Sequence, residues 1–351
     1  MRILPSILFV LLFTCSATLL SDNAYGQRKD DPNEAEPDKL VDAKTKKAIE
    51  RGLKFLARKQ IKTGNVKGGF GQGGYAGGVA TCGLGGLAFM CNGSAPGEGK
   101  YGDEIERCIE FLVKNTGENG YVSTNGGMEN MYGHGFGMLF MAQAYGMTQK
   151  KELGEKLRKA VKLTVDTQNS AGGWRYQPRK SDADLSITIC QIMALRAARD
   201  AGINVPDETR AKCIEYVKKS QAADGGFRYT MGGGHTSFPL TAAGVVSLYS
   251  AGIYEGEAVE KALKYIHRYK PGSGSSVSGS YFYYAHYYAV QAMWHAGGDD
   301  WQKWYPVIRD HLVSQQQGDG SWSESHSNEL GTAMACIILQ MPYNYLPVFS
   351  P

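Results

Sequence analysis

Residues 152–174 read Glu152-Leu-Gly-Glu-Lys-Leu-Arg-Lys-Ala-Val-Lys-Leu-Thr-Val-Asp-Thr-Gln168-Asn-Ser-Ala-Gly-Gly-Trp174. Leu153, Leu157, Val161 and Val165 recur every four residues, with Lys and Glu between them, which predicts a helix with one buried and one wet face. Asn169 to Gly173 then break the helix, and glycines permit a tight reversal into Trp174. A linker carrying Asp182 and Asp184 follows, and Leu185–Ala201 reads as a second helix, this one apolar around most of its circumference. The same sentence is written six times along the chain. The turn aromatics are Phe70, Tyr121, Trp174, Phe227, Tyr281 and Trp322, spaced by 51, 53, 53, 54 and 41 residues. The second helices close at Gly93, Gly146, Gly202, Gly252, Gly297 and Pro342.

A two-helix unit of this period cannot bury its apolar face alone, so the units must stack. Amphipathic first helices and apolar second helices predict two layers, with the second helices lining the middle. Neither end of the array carries a polar capping repeat, which favours closure into a ring. The expected fold is therefore all-α, an α6/α6 toroid of six hairpins spanning residues 43–351.

The flanking and bulk features narrow the setting. Arg2, the apolar stretch from Ile7 to Phe13 and the small-x-small site Ala24-Tyr25-Gly26 read as a signal peptide over residues 1–26. The apolar run is too short for a membrane span. Residues 27–42, with Asp30, Asp31, Pro32, Glu34, Glu36 and Pro37, read as a charged flexible leader. The mature protein is expected to be exported, periplasmic or secreted, without a transmembrane span, and monomeric. A formal charge of +4 without a clustered basic run argues against nucleic acid as a partner. Cys82, Cys91, Cys108, Cys190, Cys213 and Cys336 remain after cleavage; their places beside apolar residues in helices favour buried thiols over a disulfide framework. No Cys/His zinc spacing occurs, and no cofactor or metal is expected.

The pieces Gln168…Gly173-Trp174, Gln221…Gly226-Phe227 and Gln316 or Gln317 before Gly320-Ser321-Trp322 resemble the Gln…Gly-x-Trp repeats of squalene–hopene cyclases, within the α/α-toroid superfamily of terpenoid cyclases and protein prenyltransferases. The resemblance implies a toroid around a cavity that takes an apolar, isoprenoid-like ligand; those cyclases use two fused toroids, whereas this length allows one. It also implies a general acid. Asp182-Ala183-Asp184-Leu185 matches two of the three carboxylates of the cyclase acid motif, with a leucine at the last. Asp184 would be the acid and Asp182 its partner. The zinc-binding Asp, Cys and His of prenyltransferases have no counterpart here. Fold alone does not decide chemistry, and two rivals stand beside the isoprenoid reading. One is an exported polysaccharide lyase or hydrolase acting on a glycan; the other is a non-catalytic module binding a ligand or another protein.

Aligning the second helices by their closing glycines puts Thr81, His134, Thr188, Thr241, His286 and Thr332 in one slot. Four residues earlier stand Asn130, Asp184, Ser237 and Asn328, and six earlier Asp182, His235 and His326. Stacked around an axis, these slots predict belts at one mouth of the ring. His134, His235 and His286 would orient ligand or relay protons with Asp182 and Asp184. Two close aspartates would raise the pKa of one. Glu129, Asn130, Trp174, Tyr283, Tyr284, Tyr287, His326 and Glu329 are the expected ligand contacts. Helix capping alone accounts for Asn130, Asp184, Ser237 and Asn328 as readily, and core packing for the tyrosines.

Overall fold

The computed structural model describes residues 37–71, 77–124, 130–271 and 281–350. After a single turn, α1 (Pro37–Leu40), the chain folds into six helical hairpins: α2 (Ala43–Lys59) with α3 (Val79–Met90), α4 (Gly102–Lys114) with α5 (Met131–Thr148), and α6 (Lys151–Thr167) with α7 (Leu185–Asp200). The others are α8 (Asp207–Lys219) with α9 (Phe238–Ser250), α10 (Glu257–His267) with α11 (Phe282–Ala296), and α12 (Gly298–Gln315) with α13 (Asn328–Gln340). The first helix of each hairpin buries one stripe, as α4 does with Ile105, Cys108, Ile109, Phe111 and Leu112. The second is buried all round: every residue of α3 is. Composition thus sorts the helices into an outer and an inner layer.

The inner helices pack in order, α3 on α5, α5 on α7, α7 on α9, α9 on α11 and α11 on α13; α13 then packs back on α3, and α2 packs on α12 and α13. The ring is closed, and the fold is an all-α toroid. Close approach of inner helices depends on small residues. A Cβ at Gly83 of α3 would lie 2.6 Å from the Phe136 carbonyl oxygen of α5, so only glycine fits there.

At the ends of four outer helices, α2, α6, α8 and α12, a glutamine joins neighbouring repeats; α4 ends instead at Asn115 and α10 at Arg268. Gln168 Nε2 donates to the carbonyl of Gly172 in its own turn and to that of Thr209 in the next outer helix, both at 2.9 Å. Gln60 reaches Gly68 and Glu104, and Gln221 reaches Gly225 and Ala258. Gln316 reaches Gly320 and, across the seam between last and first repeats, Ala48 at 2.8 Å. Arg51 and Arg58 reinforce that seam by donating to the carbonyls of Gln317 and Asp319. The turn glycine is obligatory: Gly172 has φ +98°, and a Cβ there would meet the Lys212 carbonyl oxygen at 2.1 Å.

Behind three of the turns, the aromatic is buried and its backbone N–H is taken by a threonine of the inner helix. Trp174 donates to Thr188 Oγ1 at 3.1 Å, Phe227 to Thr241 at 2.9 Å and Trp322 to Thr332 at 3.0 Å. Two expected turn aromatics depart from this. In the second repeat Val122 is fully buried while Tyr121 is half-buried, and Tyr281 is 64% exposed just ahead of α11. The fourth repeat adds what the sequence reading lacked, an antiparallel pair β1 (Phe227–Thr230) and β2 (Gly233–Ser237). The six cysteines among the described residues are buried and free, as the pattern predicted. Among the described residues, no helix is long and apolar enough to cross a membrane.

Replacing Gln168 or Gln316 with Ala leaves two carbonyls at a repeat junction without their donor. Each substitution is expected to lower stability by about 2 kcal/mol in urea denaturation. Of the two, Gln316→Ala should speed amide exchange at the α2–α12 seam, because Gln316 bridges that junction and Gln168 a different one.

Candidate functional site

One end of the ring's centre opens into a cavity of about 560 Å³, within the range of small-molecule sites. The other end is covered by residues 341–350. Phe349 packs edge-on against Tyr287 at 6.2 Å, and the Ser350 carbonyl accepts from Arg196. The residues at the N-terminal ends of the inner helices form the cavity wall. Ala80, Phe136, Leu240 and Met334 supply apolar lining, Tyr132, Tyr283 and Tyr284 phenol rings, and Asn130, Ser186 and Ser237 polar edges. Tyr176, Tyr229 and Tyr281 stand at the rim with Glu324 and His326.

Asp184 lies behind this wall. Its side chain is fully buried. Oδ1 caps α7, accepting from the Ile187 N–H at 2.9 Å and from the Ser186 hydroxyl at 2.6 Å. Oδ2 has no hydrogen bond of ordinary geometry, although the Tyr229 hydroxyl is near enough to lower the pKa. Burial dominates and pushes the pKa of Asp184 up; hydrogen bonds from Ser186, Ile187 and Tyr229 and the Arg175 charge pull against it. The expected cause, repulsion by Asp182, is not what operates. Asp182 is exposed and ion-paired with Arg175, whose Nε lies 3.9 Å from Asp184 Oδ2, so a guanidinium stands beside both carboxylates.

Two hydroxyl pairs lead from Asp184 towards the cavity. Ser186 Oγ accepts from the Tyr132 hydroxyl at 2.5 Å. The Tyr229 and Tyr176 hydroxyls lie 2.5 Å apart, with Arg175 over both rings. Tyr284 packs edge-on against Tyr132 and donates to the Ser186 carbonyl at 3.1 Å.

The other expected site residues scatter. Asn130, Tyr283, Tyr284 and His326 do line the cavity. His134 does not: its Nδ1 takes the Val122 N–H at 3.2 Å and its Nε2 lies 2.9 Å from Thr164 Oγ1, so it does the work of the threonines in the same slot. Burial holds its pKa down at about 4. His286 is buried among Phe238, Phe282 and Trp304, with its pKa pushed to about 3 by burial. His235 is exposed on β2. Trp174 is buried, its indole donating to the Thr164 carbonyl. Tyr287 lies between Phe136 and Phe349, beyond the cavity wall. Glu329 faces Lys59 at 3.9 Å. Glu129 lies outside the described residues. The belt of four histidines facing two acids therefore does not form. Of the expected caps, Asn130 and Asp184 bond their helices, whereas Ser237 makes no side-chain cap bond and Ser327, not Asn328, caps α13.

The reason is helical rotation. Successive residues turn by about 100°, so residues two apart face opposite sides. The Thr/His slot points outward to the turns, and Tyr132, Ser186, Pro239, Tyr284 and Leu330, each two residues before it, line the cavity. The same step locates the rim. Tyr176, Tyr229 and Glu324 each stand two residues beyond a buried turn aromatic. Glu324 binds the His326 backbone N–H at 2.6 Å and lies 3.0 Å from its Nδ1. Among the described residues, no three His, Cys, Asp or Glu side chains converge as metal ligands do.

The raised pKa of Asp184 carries a sign for stability. Between the ordinary value of 3.8 and the raised one, the folded protein holds a proton that the unfolded chain has released, so stability falls as pH rises through that window. Asp184→Asn keeps the capping oxygen and removes this loss. Its stability relative to the parent should grow as pH rises above 3.8 and then level off, as followed by urea midpoints across pH.

The sequence profile described as the prenyltransferase alpha-alpha toroid domain matches residues 128–280. No curated protein matches the sequence at a significant level. Among solved structures, the chain is similar to a type II terpene cyclase from Scytonema in complex with geranylgeranyl dihydroxybenzoate, with TM-score 0.59 and 14% identity over 88% of this chain and 99% of that one. It is also similar to a cellobiose 2-epimerase from Bacillus thermoamylovorans, with TM-score 0.62 and 11% identity over 85% and 98%. An α-1,6-mannanase of Salegentibacter gives TM-score 0.62 and 10% identity over 85% and 99%. Identities this low speak for the fold alone. The closed double ring is an α/α toroid, and the profile match over residues 128–280 with these structural likenesses supports the superfamily of terpenoid cyclases and protein prenyltransferases.

Proposed function

We propose that this protein is an exported toroid that holds an apolar, isoprenoid-like ligand in its central cavity and protonates it with Asp184 as the proton source. The observation that carries the reading is a buried carboxyl directly behind an aromatic wall, its pKa raised by burial and joined to the cavity by hydroxyls. A general acid needs a raised pKa, and the faces of Tyr132, Tyr283 and Tyr284 suit positive charge developing on a polyene. Ala80, Leu240, Leu330 and Met334 offer apolar lining for the hydrocarbon. The signal-peptide reading of residues 1–26 supports export, and Gln27 is then the first residue of the mature chain.

Glu324 and His326 support a second reading. A carboxylate beside an imidazole at a rim of exposed tyrosines suits acid–base chemistry on a glycan. The two readings separate on what the protein carries. Native mass spectrometry of the mature chain from its own host should show a co-purifying polyprenyl-type lipid, lost in Leu330→Trp, which puts an indole into the cavity. A bound oligosaccharide would instead move the assignment to the glycan reading. Asp184→Ala should abolish turnover while costing about 1 kcal/mol as a lost cap; unchanged turnover would remove Asp184 from the chemistry.

A further inference from the structure

Asp184 cannot reach a ligand. It is fully buried and does not line the cavity, whereas Ser186 and Tyr132 do. A proton leaving Asp184 must cross the wall, and the wall contains a continuous row of oxygens: Asp184 Oδ1 to Ser186 Oγ at 2.6 Å, then Ser186 Oγ to Tyr132 Oη at 2.5 Å. We infer that Tyr132 is the group that hands the proton to the bound ligand, with Ser186 passing it from Asp184. This inference rests on the acid reading of the preceding section.

The geometry supports each link. Both spacings are short for hydroxyl hydrogen bonds. As drawn, Tyr132 donates to Ser186 and Ser186 to Asp184; hydroxyl hydrogens rotate, so the same oxygens carry the chain in the opposite sense when Asp184 is protonated. The Tyr132 O–H bond breaks as a bond from hydrogen to the ligand forms. Tyr132 oxygen takes the Ser186 hydrogen, Ser186 takes the Asp184 proton, and Asp184 is left as a carboxylate. The ligand gains one positive charge and Asp184 one negative charge, so the step balances. Burial strongly disfavours a phenolate at Tyr132, so Tyr132 releases its proton only as it receives another. The Ile187 N–H remains on Oδ1 to stabilise the carboxylate. The row is also held in register. Tyr284 packs against the Tyr132 ring and anchors the Ser186 carbonyl, and Asn130 caps the turn from which Tyr132 projects.

Two readouts test this on the full mature chain. With 13C-labelled tyrosine and aspartate, the Tyr132 ring-carbon signal should titrate with the same midpoint as the Asp184 carboxyl. Ser186→Ala should uncouple the two, and Ser186→Thr should restore the coupling. In the second readout, geranylgeranyl dihydroxybenzoate is the probe and deuterium uptake from D2O is followed. Tyr132→Phe and Ser186→Ala should slow uptake by about a hundred-fold, the lower range for losing a proton-transfer group, at unchanged probe Kd. A Tyr132 signal indifferent to the Asp184 titration overturns the relay. So does full uptake in Tyr132→Phe when Asp184→Asn has none, and in that case the acid reading survives. Absence of uptake in the parent protein overturns both.

Discussion

The side-chain amide that ends four of the outer helices is the interaction on which the rest of the molecule depends. One glutamine satisfies two carbonyls that belong to different repeats, so at these four junctions, the ring seam among them, a hairpin is hydrogen-bonded to the next by a group that belongs to neither helix ladder. The last of these, from Gln316 to Ala48, joins ends of the chain 268 residues apart. An open stack of hairpins would leave an apolar face bare at each end. Closing the ring removes both faces at once, and it brings six inner-helix starts to one opening.

That convergence sets the character of the site. Polar capping residues gather around the end of the cavity because helix N-termini need acceptors there. Asp184 serves as such a cap, and Oδ1 is accounted for by the Ile187 and Ser186 donors. What distinguishes it from an ordinary cap is Oδ2, which is buried with Arg175 at 3.9 Å and no hydrogen bond of ordinary geometry. The cap holds this carboxyl in place, and burial behind the tyrosines raises its pKa. Arg175 limits that effect. It pairs with Asp182 and stands 3.9 Å from Asp184 Oδ2, where its charge lowers the carboxyl's pKa.

The histidines show where a linear reading misleads. His134 aligns with four threonines and shares their role: it accepts a turn N–H as Thr188, Thr241 and Thr332 do. The slot faces outward rather than to the axis. A helix that is apolar all round gives no amphipathic cue to tell its axial face from its outward face. The slot two residues earlier, with Tyr132, Ser186, Tyr284 and Leu330, forms the cavity wall.

The repeat period, the contrast between amphipathic and apolar helices, and the Gln…Gly-aromatic turns are enough by themselves for two layers of stacked hairpins, and the absence of a polar capping repeat favours closing them into a ring. A carboxylate just before an apolar run also reads as a helix cap, which is the local role Asp184 has. Only the tertiary structure decided which face of each inner helix meets the axis and which tyrosines converge. It also decided that Arg175 separates two aspartates only two residues apart, and that Asp184 sits behind the wall rather than in it. Those outcomes depend on rotations and distances summed over six repeats, which no stretch of sequence carries on its own.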